Sequence, residues 1–546
     1  MNFQTPALTQ PHLRSRMGKV CVAIAASSPA GMLERASAAM QESLFLEFRL
    51  DYLPKPLSGL PKLKHFLSDH REVTAIATCR RTENGGKFGG TVAEEMEILQ
   101  KAAAAGFHLV DLEIQSAESL APAALEKLRS RNVALLISYH DFEATQDLEG
   151  ILARIRPFAP DFIKIVSTAR SLADNVTMMH FLESARDVAE IIGICMGEQG
   201  IISRVLGIRA GSRFTFASAG QGAETAVGQI EARTLLDTYR IGQIDAATRV
   251  YGVAGNPIRH SLSPIMLNAA FRRETVNAVY LALQANRLSD LLKLIHEVPI
   301  YGLSVTMPLK ETILKHLEKT DPVTAQVGAC NTIVRSQEGK LYGFNTDVAA
   351  VVRPLEKRLP LKGAKVLVLG AGGAARAAVF GLAGKGAEVH ILNRTPQTAQ
   401  KLAREAKAKT IRREQVAKSS FDVIVNATPV GMHGIKPQQI LTPKELNARL
   451  VFDLVYNPVD TPLIRMARQK GLAVILGVEM FVQQGARQFE IWTGKRAPEE
   501  EMLRVVLHAL RQRAEAGAGS QPGPSDHPSQ SSERDPSRGS GGSAAG

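Results

Sequence analysis

The sequence is poor in cysteine and in aromatic residues, and it has no long apolar run. Its four cysteines (Cys21, Cys79, Cys195 and Cys330) stand far apart with no Cys-x-x-Cys pair, which argues against a zinc site or a disulfide framework. No apolar stretch is long enough to span a bilayer. The first seventeen residues lack the apolar segment of a signal peptide and are short for a transit peptide. We therefore expect a cytoplasmic protein with no metal and no membrane partner.

The size and charge of the chain narrow its class further. Its 546 residues exceed what one core usually supports, so we expect two domains, and 45% hydrophobic with 22% charged residues indicates a globular protein. The net charge of +13 suits nucleic acid or small anionic ligands. Nucleic-acid binders usually concentrate their basic residues on one face near aromatic side chains, whereas here the bases are scattered and aromatics are only 5%. Small anionic ligands are therefore favoured, and we expect no nucleic acid partner.

Short apolar runs alternate with helical patterns from residue 18 to about 240. The runs are rich in Val and Ile and almost continuously apolar, which is typical of parallel strands buried on both faces. Eight such runs predict an α/β fold, a (β/α)8 barrel near the small end of its size range, with an open sheet as the alternative. The predicted strands are Lys19–Ala25, Leu44–Asp51, Val73–Arg80, His108–Ile114, Asn132–His140, Phe162–Ser167, Ile191–Met196 and Arg213–Ser218.

A second α/β region begins at Tyr251, after a break at about 241–250 in the alternation of apolar runs and helical patterns. The end of the chain is dominated by Gly, Ser and Pro with almost no large apolar residue, so it cannot offset its ordering entropy and we expect it to be disordered. The expected parts are an extension at 1–17, the barrel at 18–240, a catalytic part at 249–350, a Rossmann-like nucleotide-binding domain at 351–485, helices packing back on the catalytic part at 486–512, and a disordered tail at 513–546.

Polar residues near the ends of the predicted barrel strands indicate a catalytic site, because barrel enzymes carry their chemistry there. Lys164 lies among apolar residues on the sixth run, and lysine is rarely buried without a reason. Desolvation favours the neutral amine that forms a Schiff base, although a lysine with its head in solvent explains the pattern about as well. His140 favours the first interpretation, since an iminium intermediate needs a nearby base. Arg49, Arg80 and Arg204 at the same rim favour a carboxylate-bearing substrate.

The motifs around these residues resemble type I 3-dehydroquinate dehydratase along most of residues 18–240. They are Leu-Glu-Phe-Arg-Leu-Asp-Tyr, Ser-Tyr-His-Asp-Phe, the strand lysine, Ile-Ser-Arg and Gly-Gln-Ile. The resemblance implies Schiff-base dehydration of 3-dehydroquinate to 3-dehydroshikimate, in which Lys164 forms the imine and His140 moves protons at C2 and assists the leaving hydroxyl. The substrate ligands that it implies are Glu47, Arg49, Arg80, Arg204, Thr225 and Gln229.

Two positions depart from the pattern of that family. Asn84 precedes Gly85 and Gly86 where the family usually has Glu, and Glu83 stands one position early. Thr225 stands where the family has Ser, and it keeps the hydroxyl. The first departure bears on how this loop positions His140, though not on the Schiff base itself.

An apolar run at 364–369 leads directly into a glycine turn and a helical stretch. Such a turn lets a pyrophosphate approach the N-terminus of the helix, although the pattern alone is weak and a ligand-free turn is the alternative. The next run ends in an arginine where an NAD-binding fold has an acid, and arginine can neutralise a 2′-phosphate. The pattern predicts NADP(H) as the cofactor. The residues involved are Gly370, Ala371, Gly372, Gly373, Ala374, Asn393, Arg394 and Thr395.

Several further motifs supply short hydroxyls, a lysine and a carboxylate: 256–264, 304–310 and 343–347. Singly, each has a simpler explanation as a serine turn, a surface charge or a helix N-cap. Together with 328–332, 426–432, 456–458 and 477–486 they resemble shikimate dehydrogenase over about 250–510, although Pro429 stands where that family commonly has Ser.

This second resemblance implies reversible reduction of 3-dehydroshikimate to shikimate by NADPH. Lys310 and Asp347 are the implied catalytic dyad, which can stabilise and protonate the forming alkoxide. The implied substrate ligands are Ser261, Ser263, Thr306, Asn331, Tyr456 and Gln484. The further implied cofactor contacts are Thr398 at the adenosine phosphate, and Leu454 and Gly477 at the nicotinamide end. The product of the first half is the substrate of the second, and the order of the halves resembles the fused bifunctional enzymes of plants and some bacteria.

Three alternatives remain open on the sequence. The second half could prefer quinate to shikimate, since both suit a hydroxyl-rich pocket. The first half could be another Schiff-base barrel lyase, such as an aldolase. The chain could also be a basic nucleic-acid-binding or scaffolding protein with inert enzyme-like domains, which the intact Lys164, His140, Lys310 and Asp347 argue against. The sequence leaves the oligomeric state open.

Overall fold

The computed structural model describes residues 12–220, 222–258, 261–436 and 438–518. Most of the expected N-terminal extension and most of the expected C-terminal tail lie outside the described residues. In the described part of the chain, no helix combines the length and the apolar character needed to cross a bilayer.

The first region contains all eight strands expected from the sequence, each buried along most of its length. They are β1 (Val20–Ile24), β2 (Phe45–Arg49), β3 (Thr74–Thr78), β4 (Leu109–Glu113), β5 (Ala134–His140), β6 (Phe162–Thr168), β7 (Ile191–Met196) and β8 (Thr215–Ser218), with a two-residue strand β9 (Ile230–Glu231) after them. The strands pair in parallel in the order β7-β6-β5-β4-β3-β2-β1-β8-β9.

The sheet curls around an apolar interior to which the strands contribute side chains such as Phe45, Phe162 and Phe216. β7 and β8 form no ladder, but the amide of Arg213, just before β8, donates to the carbonyl of Ile191 on β7 at 2.8 Å. The expected closed barrel is therefore a curled parallel sheet with one seam that lacks ladder hydrogen bonds.

Apart from α1, which precedes β1, the helices of the first region follow strands, as the alternating sequence pattern predicts. α4 shows how local sequence sets a boundary, because Thr91 and Glu94 form a reciprocal capping box at its start. The helices are α1 (Leu13–Arg16), α2 (Pro29–Ala39), α3 (Pro56–Asp69), α4 (Val92–Ala104), α5 (Ile114–Glu118), α6 (Pro122–Arg129), α7 (Leu148–Ile155), α8 (Leu172–Ala185) and α9 (Ile201–Ala210).

The second region contains two six-stranded sheets. The first is mixed, in the order β11-β10-β12-β14-β15-β13, because β14 runs antiparallel to both of its neighbours. Its strands are β10 (Arg249–Gly255), β11 (Ala278–Gln284), β12 (Ile300–Val305), β13 (Lys319–Thr320), β14 (Thr332–Arg335) and β15 (Leu341–Phe344), and its helices are α10 (Ser263–Arg273), α11 (Leu288–Glu297), α12 (Leu309–Thr312), α13 (Pro322–Val327) and α14 (Asp347–Glu356).

The second sheet is entirely parallel, in the order β18-β17-β16-β19-β20-β21, with an apolar cluster on each face. This is the Rossmann-like arrangement expected from the glycine turn. Its strands are β16 (Lys365–Leu369), β17 (Glu388–Leu392), β18 (Lys409–Thr410), β19 (Phe421–Asn426), β20 (Ala448–Asp453) and β21 (Ala473–Ile475), and its helices are α15 (Gly373–Gly384), α16 (Pro396–Ala406), α17 (Arg413–Val416) and α18 (Pro462–Gln469).

Two long helices, α19 (Gly477–Thr493) and α20 (Glu499–Ala518), end the described chain and pack on α10 through one apolar cluster. The expected boundary between residues 485 and 486 falls inside α19. The expected start of the disordered tail at residue 513 is wrong, because α20 continues to Ala518. Residues 511–518 are mainly Arg, Ala and Glu, which favour a helix without a large apolar face.

Candidate active sites

A cavity of about 320 Å³ opens at the carboxyl ends of the barrel strands. Phe142, Val166, Met196 and Phe216 supply much of its apolar wall. The structure brings together all eight residues that the sequence predicts for this half: Glu47, Arg49, Arg80, His140, Lys164, Arg204, Thr225 and Gln229.

Lys164 reaches the floor of this cavity from β6 and is 5% exposed. Its Nζ lies 3.0 Å from Asp111 Oδ2 and 3.8 Å from Glu47 Oε1. The same nitrogen lies 4.0 Å from the centroid of the Phe216 ring. The amine is therefore held inside the cavity by two carboxylates and an aromatic face, and the alternative of a lysine with its head in solvent is wrong.

His140 lies at the end of β5 between a carboxylate and a guanidinium. Its Nδ1 is 3.0 Å from Glu113 Oε2, and its Nε2 is 2.7 Å from Arg80 Nη1. Burial, together with the charge of Arg80, lowers the pKa of His140 to about 4. The imidazole is therefore neutral near pH 7 and able to accept a proton.

Arg204 differs from the other arginines of the cavity because it has no acidic partner in the described part of the chain. It is 2% exposed, its Nη2 donates to the carbonyl of Val227 at 3.3 Å, and its buried Nε has no hydrogen-bond partner. Burial lowers the pKa of its guanidinium to about 10. Arg49, by contrast, makes two hydrogen bonds of 2.9 and 2.8 Å to Asp51. Arg204 is therefore the cation best placed to bind an anionic ligand.

The loop that departs from the family pattern lies at the mouth of the cavity. Asn84 is buried and lines it, whereas Glu83 is exposed and pairs with Arg81. Gly85 has a φ of +76°, and a β-carbon there would lie 2.3 Å from Cζ of Phe142. Since Glu83 does not enter the cavity, the carboxylate that contacts His140 comes from β4 and not from this loop.

The second candidate site is built around Lys310, whose Nζ lies 2.5 Å from Asp347 Oδ2. Asn331 donates from Nδ2 to Asp347 Oδ1 at 2.8 Å and to Thr346 Oγ1 at 2.9 Å. Thr346 occupies the cap position of α14, and Asp347 is its first helical residue. The alternatives of a surface charge at Lys310 and a helix N-cap at Asp347 are therefore wrong, and the pair forms a half-enclosed dyad.

The other predicted substrate ligands surround this part of the mixed sheet. Ser261 accepts a hydrogen bond of 3.2 Å from the amide of Ser263 at the start of α10, and Thr306 follows β12. Tyr456 stacks on Phe481 of α19 with ring centroids 4.3 Å apart. Gln484, one turn further along α19, donates to the carbonyl of Phe481 at 3.1 Å. Of the six predicted ligands, Asn331 contacts the dyad directly.

The predicted nucleotide-binding residues lie along the carboxyl edge of the parallel sheet. Gly370 has a φ of +109°, and a β-carbon on Gly372 would meet nothing within 4 Å, so the turn has an open side. A β-carbon on Gly373 would lie 3.4 Å from Cδ of Lys310, which places the start of α15 beside the dyad. Arg394, Thr395 and Thr398 are exposed around the start of α16, and Asn393 Nδ2 donates to the carbonyl of Thr395 at 3.0 Å. Leu454 and Gly477 meet where α19 begins, since a β-carbon on Gly477 would lie 2.8 Å from the carbonyl carbon of Leu454.

Comparison with protein families matches the first region to one family model and the second region to three. Residues 20–246 match type I 3-dehydroquinase, 253–333 the shikimate dehydrogenase substrate binding domain, 354–461 shikimate/quinate 5-dehydrogenase, and 477–507 the shikimate 5′-dehydrogenase C-terminal domain. The chloroplastic bifunctional 3-dehydroquinate dehydratase/shikimate dehydrogenase of Arabidopsis thaliana is 34% identical over 513 residues, covering 89% of this chain and 84% of that protein. The chain belongs to the bifunctional 3-dehydroquinate dehydratase/shikimate dehydrogenase family.

Other similar proteins match the second half alone or most of the chain. The NADP(+) shikimate dehydrogenase of Methanosarcina acetivorans is 40% identical over 278 residues, covering 48% of this chain and 99% of that protein. The crystal structure of the Thermus thermophilus shikimate 5-dehydrogenase with NADP(H) and shikimate is 37% identical, with a TM-score of 0.45, covering 48% of this chain and 100% of that one. The S. pombe structure of dehydroquinate dehydratase and shikimate dehydrogenase is 23% identical, with a TM-score of 0.41, covering 91% and 99%. Membership in the family gives this chain a lyase half and an oxidoreductase half.

Sequence reasoning missed two acids of the dehydratase half, Asp111 and Glu113 on β4. Arg80 binds both, with Nη2 2.8 Å from Asp111 Oδ2 and Nη1 3.1 Å from Glu113 Oε2. Although burial opposes it, Arg80 and Lys164 hold the pKa of Asp111 well below its usual range. Against the same opposition, His140 and Arg80 lower the pKa of Glu113. A signal was present, because two acids at alternate positions of a buried strand point to the same face.

In the dehydrogenase half, sequence reasoning missed Gln488 of α19. Its Nε2 donates to Thr332 Oγ1 at 3.0 Å and to the carbonyl of Asn331 at 3.2 Å, and its Oε1 accepts from Ser304 Oγ at 2.8 Å. The hydroxyl of Tyr280 donates to the same Ser304 oxygen at 2.6 Å. This buried network holds the segment that carries Asn331, and nothing in the spacing of the motifs indicated it.

Proposed function

We propose that the two sites carry out consecutive reactions, with the residues in the roles that the two resemblances imply. The barrel dehydrates 3-dehydroquinate to 3-dehydroshikimate, and the second region reduces that product to shikimate with NADPH. The observation that supports this most directly is the pair of lysine sites on one chain: Lys164 beside a neutral His140, and Lys310 bound to Asp347 at the start of the nucleotide-binding helix.

In the barrel, Lys164 Nζ attacks the ketone carbon C3, and loss of water leaves an imine. His140 removes the proton at C2, and the electron pair moves toward the iminium nitrogen. The hydroxyl at C1 then departs as water with the proton that His140 returns, and hydrolysis of the imine releases the product and restores Lys164. Asp111 at 3.0 Å and Glu47 at 3.8 Å stabilise the positive charge of the iminium.

Binding of the ring substrate requires one anion site and several hydroxyl sites. Arg204, the cation without an acidic partner in the described part of the chain, binds the carboxylate through two parallel hydrogen bonds. The other polar residues of the rim bind the hydroxyls: Glu47, Arg49, Arg80, Thr225 and Gln229.

The residues of the second half fit NADP(H). The open side of the turn at Gly372, the start of α15 and the exposed Arg394 suit a pyrophosphate and a 2′-phosphate. When bound, the cofactor supplies the hydride for the ketone carbon. Lys310 protonates the developing alkoxide, Asp347 holds the ammonium in place, and Asn331 fixes the orientation of Asp347.

The test is NADPH oxidation by the purified chain given 3-dehydroquinate alone. Lys164→Ala should abolish this activity but leave oxidation with 3-dehydroshikimate intact, and Lys310→Ala should abolish both. Lys315→Ala, an exposed lysine on the same segment, is the matched control and should change neither. A wild-type chain that is inactive with 3-dehydroshikimate, or that turns over quinate faster than shikimate in the reverse direction, would contradict the dehydrogenase assignment.

We also propose that the enzyme works in the cytoplasm on small molecules, without a metal ion and without nucleic acid. The support for the compartment is that all four cysteines are buried and unpaired, as in a reducing environment. Both activities should survive EDTA. Loss of either activity that a divalent cation restores would contradict the metal-free proposal, and recovery of the native protein in another compartment would contradict its location.

A further inference from the structure

Two neighbouring loops leave the carboxyl edge of the parallel sheet where its last two long strands end. One follows β19 and the other follows β20, and the second carries Leu454 and Tyr456. The loops are tied together by backbone hydrogen bonds, from the amide of Leu454 to the carbonyl of Asn426 and from His433 to Asn457, each 2.9 Å long. They form one side of the place where ligands bind in folds of this kind.

Asp453, the last residue of β20, lies between the loops and is fully buried. Its Oδ1 accepts hydrogen bonds from Asn426 Nδ2 at 2.8 Å and from the amide of Val455 at 3.1 Å. Its Oδ2 accepts from the hydroxyl of Thr461 at 2.6 Å. All three donors are uncharged, and no cation lies within salt-bridge distance of this carboxyl in the residues that the structure describes.

The hydrogen bonds from Asn426 and from Val455 connect Asp453 to two different parts of this side of the site. Asn426 connects the carboxyl to the loop after β19. Its Oδ1 accepts hydrogen bonds from Thr428 Oγ1 at 2.7 Å and from the Thr428 amide at 3.0 Å. Through Val455 the carboxyl holds the backbone against which Gly477 packs, since a β-carbon on Gly477 would lie 2.3 Å from the carbonyl oxygen of Val455. One buried group therefore links both loops to the first turn of α19.

Joining two loops through a buried carboxyl that has no cationic partner costs free energy. Burial raises the pKa of Asp453 to about 6, against the three hydrogen bonds that lower it. An uncharged side chain of the same shape would avoid that cost. The three donors nevertheless all require an acceptor, which the carboxylate supplies in full and a protonated carboxyl supplies only in part.

We propose that Asp453 is a positioning residue of the dehydrogenase half, whose carboxylate sets the two loops as one rigid wall against the nicotinamide end of the cofactor. It acts through Asn426, Val455 and Thr461. The inference rests on the proposed function, since it assigns Asp453 to the orientation of NADP(H) for hydride transfer.

The test compares Asp453→Asn and Asp453→Ala with Asp460→Asn. Asp460 lies on the same loop, is 45% exposed and pairs with Arg468 at 2.6 Å, so its variant removes the same charge outside the network. We expect D453A to lower kcat with 3-dehydroshikimate by about tenfold or more and to raise the KM for NADPH, because small misplacements of reacting groups cost that much. D453N should lose less, since its Oδ1 can still accept from Asn426 and Val455. D460N should match the wild type.

Two readouts separate positioning from a merely structural role. The dehydratase on the same chain should stay within about twofold of the wild type in every variant, since its site lies in the other domain. In the wild type, dehydrogenase kcat/KM should fall as the pH drops through about 6, because a proton on Asp453 replaces an acceptor with a donor. In D453N, which does not titrate there, this fall should be absent.

Dehydrogenase kinetics of D453A within twofold of the wild type would overturn the inference. Parallel loss of both activities with a lower melting temperature in D453A and D453N would overturn it as well, by showing a folding role only. If D453A does not fold, the pH profile of D453N decides: a fall identical to that of the wild type refutes the proposal. A wild-type chain that does not oxidise NADPH with 3-dehydroshikimate would instead refute the proposed function itself.

Discussion

Replacing Arg204 with methionine should weaken the dehydratase and at the same time make the barrel harder to unfold. Arg204 is 2% exposed, and its Nε has no partner. Burial lowers the pKa of its guanidinium from its usual value to about 10, a shift that corresponds to roughly 3 kcal/mol against the charged form in the free enzyme. Methionine fills most of the same volume without a charge, so this cost disappears.

The loss of function follows from the same geometry. A guanidinium that binds the substrate carboxylate through two charge-assisted hydrogen bonds contributes about 3 kcal/mol or more to binding. Its removal should lower kcat/KM for 3-dehydroquinate by about 100-fold, mainly through KM, because the carboxylate does not take part in the chemistry. The melting temperature of the unliganded chain should rise by about 6–12 °C if all of that cost is removed, since 1 kcal/mol corresponds to about 2–4 °C in a domain of this size.

The assay pairs thermal melting, with and without 3-dehydroshikimate, with steady-state dehydratase kinetics. The wild type should be stabilised by the ligand, and Arg204→Met should not be. Arg209 lies about a turn and a half further along α9 and does not line the cavity. Arg209→Met therefore removes the same charge and should leave the kinetics unchanged. A variant that melts lower and keeps its kcat/KM would refute the assignment of Arg204 to the carboxylate.

Three further predictions concern single groups. Because the pKa of His140 is lowered to about 4, dehydratase kcat/KM should stay flat from pH 8 to about 5, and the barrel should lose stability below pH 6.5, where the unfolded state binds the proton first. pH-dependent kinetics and melting test this. Glu113→Gln should lower dehydratase kcat by about 10–100-fold and leave the dehydrogenase unchanged in the same preparation. Arg394→Ala should raise the KM for NADPH by about tenfold but not that for NADH, measured by steady-state kinetics.

Most of the fold could be predicted from the sequence because strands that are buried on both faces have a recognisable residue pattern. A strand such as Ile191–Met196 must be almost continuously apolar, and its bounds in the structure are those expected. The site residues followed from the same logic, since polar groups at the ends of parallel strands meet at one edge. Lys164 was conspicuous because nothing in a buried strand requires a lysine.

The contacts between side chains could not be predicted in the same way. That Glu113 and not Glu83 contacts His140 depends on strand register and on the path of the loop around Gly85. The missing ladder between β7 and β8 depends on the twist between neighbouring strands, which accumulates around a curled sheet. The end of α20 could not be predicted because a segment of Arg, Ala and Glu is compatible both with a helix and with a solvated, unstructured chain.

In the proposed mechanism, the distribution of charge in the dehydratase cavity serves both the orientation of the substrate and the stability of the intermediate. Three cations of its lining pair with four carboxylates, of which Glu47 also lines the cavity: Arg49, Arg80 and Lys164 with Glu47, Asp51, Asp111 and Glu113. Arg204, which has no acidic partner among the described residues, makes another part of the wall positive. In the proposed mechanism, these charges orient a ring that carries a carboxylate at one side and a ketone at the other, since its anion is repelled by the carboxylates and attracted to Arg204. The same excess of negative charge around Lys164 stabilises the iminium once the imine has formed, so one arrangement of charges serves binding and chemistry together.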